Sequence, residues 1–272
     1  MMHYDKTKRD KIDICNICLE SKHLTWDHVP PKCCSNDQNV EIALFFDKMK
    51  GTNSTERPRM FQNGMKYRTI CGDCNSLLGS KYDDELNKLV KALTRLVNSS
   101  LIIPPIIKLK VRPLPIIKSV VGHILAAKSQ LDGSKCDSIF REFVLNEKAP
   151  IPEGLHLYYW VYPFENTIVV RDFSMMNVSG RDDFNKFSLL QLLKFFPLAF
   201  MLSDVDSCVN LPSLTSCSKN ISMETELEIP ILFYRSVERF WPESTDDGNI
   251  MFATRETQNA VYVTKRAIAK KK

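Results

Sequence analysis

"GMKYRTICGDCNSLL" (64–78) contains the end of a strand, a pair of cysteines and the start of a helix. Its first half alternates apolar and polar residues, which predicts a half-buried strand running into Cys71 and Cys74. From 75 to 97 apolar residues recur at spacings of three and four, which is typical of a helix with one buried face. This apolar stripe consists of Leu78, Tyr82, Leu86, Leu89 and Leu93. The segment therefore predicts a strand joined directly to a helix through a C-x-x-C turn.

A second C-x-x-C pair, "CNIC" at Cys15 and Cys18, lies upstream. Two such pairs in one chain predict a tetrahedral site of four thiolates, the arrangement of structural zinc. The alternative is two unrelated turns with buried thiols, which the identical spacing makes less attractive. The charged N-terminus has no apolar signal region, so we expect a cytoplasmic, reducing location in which thiols bind metal rather than form disulfides. The other cysteines are expected to act as small buried apolar residues: Cys33, Cys34, Cys136, Cys208 and Cys217.

Between the two cysteine pairs stands "LTWDHVPPK" (24–32). A strand is predicted over 22–28, and it ends at Asp27 and His28 because two prolines follow at once. Asn75 directly follows the last cysteine and opens the predicted helix. A zinc ion bound by both cysteine pairs would connect the two ends of this strand–strand–helix unit and bring Asp27, His28 and Asn75 close together.

The pattern C-x-x-C…D-H…C-x-x-C-N over residues 15–85 resembles that of the HNH, or ββα-metal, nucleases, in the zinc-knuckle branch that includes endonuclease VII. The resemblance implies that the two cysteine pairs, Cys15 with Cys18 and Cys71 with Cys74, bind structural Zn²⁺. It also implies that Asp27 and Asn75 hold a catalytic Mg²⁺ or Mn²⁺ ion, whose preferred ligands are oxygens. His28 would be the general base that takes a proton from the attacking water.

The sequence departs from the family pattern in three places. The connection 29–63 is long, and the family's middle asparagine has Asn63 as its nearest counterpart. The family's last histidine, on the helix, is absent, so Asn75 would replace it as a ligand, with Asp83 as a weaker addition. Two simpler readings stay open: Asp27 and His28 as an ordinary surface pair, and Asn75 as a helix N-cap. The remaining histidines are expected to be structural or exposed: His3, His23, His123 and His156.

The expected fold class is α+β, with a small zinc-stabilised ββα-metal module followed by an α+β domain of unknown type. We place the HNH domain at 1–98 and the second domain at 99–272, beyond a proline-rich junction at 99–115. Helices are expected at 116–131, with one inward apolar face, and at 137–145; strands are expected at 106–111, 155–163, 166–175, 197–204 and 229–236. The second domain would bind substrate, regulate cleavage, or dock a protein partner or a second copy of the chain.

Composition limits the remaining functions. The chain has 272 residues, 44% of them hydrophobic, and a net charge of +5 that is compatible with nucleic-acid binding. The most apolar stretch, 188–202, contains Lys194 and Pro197 and is too short to cross a bilayer, so no membrane association is expected. The basic end 261–272 is expected to be a solvated tail or a phosphate-binding arm.

The expected function is that of a metal-dependent HNH endonuclease that hydrolyses phosphodiester bonds in DNA, with RNA as the open alternative substrate. The fusion of a small HNH module to an unmarked domain is also similar in architecture to the nuclease effectors of bacterial antiviral defence systems. The competing reading is a non-catalytic zinc module that binds nucleic acid or protein.

Overall fold

The computed structural model describes residues 7–51, 58–131, 135–177, 188–204, 211–216, 221–234, 238–244, 249–253 and 259–266. The helices are α1 (Phe45–Met49), α2 (Gly72–Leu77), α3 (Asp83–Val97), α4 (Pro113–Ala126) and α5 (Lys135–Leu145). The strands are β1 (Ile12–Ile14), β2 (Ser21–His28), β3 (Val40–Leu44), β4 (Arg59–Phe61), β5 (Lys66–Cys71), β6 (Ile106–Val111), β7 (His156–Val161), β8 (Thr167–Asn177), β9 (Ser188–Phe195), β10 (Leu198–Ser203), β11 (Leu227–Leu232), β12 (Asn249–Ala253) and β13 (Asn259–Lys265). This composition confirms the α+β class.

The cysteine pairs lie around a three-stranded antiparallel sheet of order β1-β2-β5, followed by a long helix. The predicted strands at 22–28 and 64–71 are present as β2 and β5. The predicted helix at 75–97 begins earlier, at Gly72, and continues through one π-helical turn, Leu78–Tyr82, into α3. The wider π-helical turn changes the direction in which the following side chains point, and such turns are frequent at functional sites.

Strand β2 changes its buried face along its length. Leu24 and Asp27 are both buried although they lie three positions apart, whereas a regular strand buries residues two or four apart. The register between β2 and β5 shifts between Thr25 and Trp26, so that one additional β5 residue, Thr69, is accommodated. Such irregularities re-aim side chains. Here the consequence is that Asp27 points into the core and Trp26 is exposed.

The long connection 29–63 is not an isolated loop. It contains β3, α1 and β4, and β3 and β4 join the large sheet of order β4-β3-β13-β8-β9-β10-β7, to which β12 is added through β8. The segment 188–202, noted for its apolar composition, forms the neighbouring strands β9 and β10 of this sheet. No helix in the described part of the chain is long and apolar enough to cross a membrane.

The basic end of the chain was expected to be a solvated tail, and for 261–265 this is wrong. These residues belong to β13, which pairs with β3 on one side and β8 on the other. Val261 and Tyr262 are buried because both faces of a central strand are covered. Residues 267–272 lie outside the described part of the chain.

Helix α4 connects the cysteine-bearing sheet to the large sheet. All 14 of its residues are buried, so the expectation of one inward apolar face at 116–131 is wrong. A helix that is apolar on every side is covered on every side. Asn16 of the first cysteine turn donates to the Leu125 and Lys128 carbonyls at 2.9 and 2.7 Å, and Thr69 donates to the Ala126 carbonyl at 2.6 Å. The free carbonyls at the end of α4 are thus satisfied by the cysteine-bearing part of the chain.

Candidate functional site

The four predicted cysteines form one cluster. The sulfur atoms of Cys15, Cys18, Cys71 and Cys74 all lie within 4.8 Å of one another, and Cys18 Sγ is 3.9 Å from Cys71 Sγ. Four sulfurs at the usual Zn–S distance of about 2.3 Å in a tetrahedron are separated by about 3.8 Å. The donor set and its spacing therefore fit a zinc ion, and among the described residues this is the cluster that could hold one.

The first cysteine turn is arranged to stabilise a thiolate. The backbone N–H groups of Ile17 and Cys71 donate to Cys15 Sγ at 3.4 and 3.3 Å. The pKa of Cys15 falls to about 4, mainly because the Cys74 thiol donates a hydrogen bond to it, and burial only partly opposes this. The same hydrogen bond and burial raise the pKa of Cys74. Backbone donors to cysteine sulfur are the outer support that a metal–thiolate site uses.

Asn75 lies in the first turns of α2, where its side chain reaches back to β2. Its Nδ2 donates to the Trp26 carbonyl at 3.0 Å and to Thr25 Oγ1 at 3.2 Å. The N-cap of α2 is Cys71, so the reading of Asn75 as an N-cap is wrong. Because the amide nitrogen is committed to β2, the side-chain oxygen is left for another partner. The structure thus brings Asn75 against the backbone that directly precedes Asp27.

The side chain of His28 is hydrogen-bonded to the segment that precedes β5. Its Nε2 donates to the backbone carbonyl of Asn63 at 2.9 Å, so Asn63 contributes its main chain rather than its amide. Burial lowers the pKa of the imidazole, and the ammonium groups of Lys66 and Lys32 lower it further. The Asn63 carbonyl and the Asp27 carboxylate act in the opposite direction without cancelling this. A neutral ring that donates through Nε2 has an unprotonated Nδ1, which can accept a proton.

Asp27 is only 4% exposed and its partner was not anticipated. Asp27 Oδ2 accepts a hydrogen bond from His123 Nδ1 at 3.0 Å, and His123 Nε2 donates to Asp83 Oδ1 at 2.9 Å. Ser119 Oγ also donates to Asp83 Oδ1, at 2.7 Å. Of the two readings given for His123, structural or exposed, the burial of its ring favours the structural one, with two acidic partners that the sequence did not indicate.

Both imidazole nitrogens of His123 face carboxylate oxygens, a setting that favours the charged ring. Burial disfavours the charged ring, but Asp27 and Asp83 together raise its pKa well above the ordinary value. Burial also opposes the ionisation of Asp83, yet the charge and hydrogen bond of His123, with that of Ser119, lower the pKa of this carboxyl group. A polar residue inside an apolar helix requires a buried partner, which is the signal in 116–126 that could have indicated an ion pair. It could not have shown which acids were involved.

The surface beside the site is aromatic and basic. Trp26 is 41% exposed, with the Arg68 guanidinium 5.4 Å and the Lys66 ammonium 5.9 Å from its ring centre. These distances correspond to cation–π contacts. Lys32 is exposed, whereas Lys81 pairs with Glu147 at 3.4 Å and so has its charge compensated. An exposed ring with two neighbouring cations is suited to a nucleic-acid base and its phosphate.

No family model, curated protein or solved structure matches this chain.

Proposed function

We propose that the protein is a metal-dependent endonuclease of the HNH type that hydrolyses phosphodiester bonds in DNA. The observation that carries this proposal is the setting of His28. A half-buried imidazole, held through Nε2 by the Asn63 carbonyl and with a lowered pKa, follows directly after a carboxylate on the same strand. A purely structural histidine does not need an unprotonated nitrogen beside an aromatic and basic surface.

In this proposal His28 Nδ1 accepts a proton from a water molecule that attacks phosphorus, and the bond from phosphorus to the 3′ oxygen breaks. The oxygens of Asp27 and Asn75 are the donors that would hold Mg²⁺ or Mn²⁺. Their chemistry fits such an ion, but the set is small, and the charge of Asp27 is partly compensated by His123. We therefore expect the ion to keep several water molecules and to depend on a substrate phosphate for tight binding. When bound, it would stabilise the charge that develops in the reaction.

A plasmid-nicking assay with Mg²⁺, Mn²⁺ or EDTA tests the proposal. Wild-type protein should nick in the presence of either ion and not in EDTA. His28→Ala should reduce the rate by about 10²–10⁴, the usual effect of losing a general base. The matched control is His23→Ala, which removes an exposed histidine from the same strand and should keep the wild-type rate. Equal rates for the two variants would remove His28 from the chemistry.

A second candidate, a non-catalytic zinc module that binds nucleic acid, is favoured by one observation. The aromatic and basic surface formed by Trp26, Lys66 and Arg68 needs no catalytic residue to bind a strand. Binding of DNA or RNA that is retained in a protein inactive with every divalent ion would support this reading. Loss of nicking in His28→Ala, with binding retained, would instead support the endonuclease.

A further inference from the structure

We infer that His123, which helix α4 supplies, is a positioning residue that orients the Asp27 carboxylate for binding a divalent cation. This inference rests on the proposed function, in which Asp27 is a ligand of the ion. It adds to the site a residue 96 positions away from Asp27 in sequence, beyond the proline-rich segment.

The Asp27 carboxylate has a defined orientation. The shift in register between Thr25 and Trp26 turns the side chain of Asp27 into the core, where an unpartnered carboxylate is costly. The hydrogen bond from His123 satisfies Oδ2, and in the proposed site Oδ1 is the oxygen that would face the ion. An outer residue orients a metal-binding carboxylate in this way: it hydrogen-bonds to one oxygen, and the other oxygen binds the ion.

The His123 ring is itself held in place at Nε2, the nitrogen that does not contact Asp27. Asp83 Oδ1 accepts from Nε2, and Ser119, one turn earlier on α4, donates to the same oxygen. The ring therefore cannot rotate without breaking two hydrogen bonds. A residue whose own orientation is supported in this way can hold a ligand within the narrow geometric range that a site requires.

The position of α4 relative to β2 is fixed by close packing and by capping hydrogen bonds. Gly122, next to His123, packs so closely against Leu78 of the π-helical turn that an added Cβ would lie 2.3 Å from Leu78 Cδ2. The capping bonds from Asn16 and Thr69 hold the end of the same helix. The distance from α4 to β2 is thus set by packing on both sides of His123, so the imidazole reaches Asp27 without adjustment.

Two substitutions separate this role from a structural one. In His123→Asn the amide nitrogen occupies nearly the place of Nδ1 and can still donate to Asp27. In His123→Gln it occupies nearly the place of Nε2 and can donate only towards Asp83. Both variants are neutral and both lose one of the two hydrogen bonds, so the loss of charge and most of the loss of stability cancel when they are compared with each other.

The measurement is Mn²⁺ binding to the zinc-loaded, full-length protein, followed by the electron paramagnetic resonance signal of free Mn²⁺. We expect His123→Gln to bind Mn²⁺ about 10–100-fold more weakly than His123→Asn, the usual effect of losing an outer partner of a metal ligand. Zinc content and thermal denaturation of both variants check that each is folded. Equal Mn²⁺ affinities in two folded variants, or no Mn²⁺ binding by wild type that Asp27→Ala reduces, would overturn the inference.

Ser119→Ala provides a milder test if the histidine variants do not fold. It removes the outer support of Asp83 while keeping His123, so Mn²⁺ affinity should fall by less than tenfold but measurably, and unchanged affinity counts against the inference. The outcome for the proposed function is read separately, from nicking by wild type and His28→Ala. A protein that nicks through His28 but binds Mn²⁺ equally in both His123 variants would keep the endonuclease proposal and reject the role of His123.

Discussion

At the scale of single residues, Cys74 is the strictest test of the metal centre, because it is buried and lies beside three other sulfurs. We expect purified protein to contain one zinc ion per chain. Cys74→Ser should lose the ion and unfold at a lower temperature, since zinc binding to such sites contributes about 10–16 kcal/mol to folding. Elemental analysis and thermal denaturation measure both effects. Cys33 lies outside the cluster and is exposed, so the expectation that it is buried is wrong. Cys33→Ser should keep one zinc ion, and a zinc-replete Cys74→Ser protein would contradict the assignment.

Trp26 tests the neighbouring surface at the same scale. Trp26→Ala should weaken the binding of single-stranded DNA by about 1–3 kcal/mol, the usual contribution of an aromatic ring that stacks on a base. Binding should also weaken steeply with salt, because Lys66 and Arg68 stand beside the ring. Fluorescence anisotropy of a labelled oligonucleotide at two salt concentrations gives both numbers. Met60→Ala, which truncates another exposed apolar side chain, is the matched control and should leave the affinity unchanged.

Local sequence patterns predicted some residues of the candidate site but not all of them. The cysteines, Asp27, His28 and Asn75 all occur next to strand or helix ends between positions 15 and 75, so the paired cysteine spacing and the family resemblance were enough to group them. His123 contacts Asp27 across 96 positions, and nothing near it in sequence marks this contact. A sequence shows that a buried cation needs an acid, but the choice of acid is made by packing between elements.

At the scale of elements, two glycines in α4 and the π-helical turn should respond to replacement by alanine with opposite changes in stability. Gly122→Ala should destabilise the protein by about 1–3 kcal/mol, the usual cost of overpacking a core, because the new methyl group meets the buried Leu78. Gly79→Ala should stabilise it by about 0.5–1 kcal/mol, because an added Cβ there has no atom within 4 Å and alanine favours helix. Urea denaturation measures both changes.

The double variant Leu78→Ala with Gly122→Ala gives the control for this pair. If the clash with Leu78 is the cause, the cost of Gly122→Ala should be smaller in the Leu78→Ala background than in wild type. The same cost in both backgrounds would show that the methyl group meets something else.

The elements that were predicted correctly and those that were missed differ in a physical respect. Strand β5 alternates apolar and polar residues up to a cysteine turn, and β2 ends just before two prolines, so the signals that predict these strands are local. Strands β3 and β13 each lie between two neighbours in the large sheet and pair with each other, although more than 200 residues separate them. Their stability comes from distant pairing that no local window contains.

At the scale of the whole molecule, the hydrophobic core crosses the boundary predicted at residue 98. A single cluster of buried residues includes Cys74 of the four-cysteine cluster, Val121 of α4 and Leu193 of the large sheet. We therefore expect zinc release and loss of the sheet to occur at one urea concentration. A chromogenic chelator reports the released zinc, and circular dichroism reports the sheet. Zinc released well below the concentration at which the sheet unfolds would show that 1–98 is an independent unit.

The central place of β13 has a consequence for biosynthesis. Strands β3 and β4 belong to the segment that joins Asp27 and His28 to β5. Among the described strands, they reach β8 and the rest of the large sheet only through β13. A ribosome translates the chain from its N-terminal end, so β3 waits without this neighbour until residue 265 has left the exit tunnel. At about 5–20 residues per second, the more than 200 residues between the two strands take on the order of 10–40 s to synthesise. During that interval the unpaired edge of β3 is open to chaperones and to the β3 strands of neighbouring nascent chains.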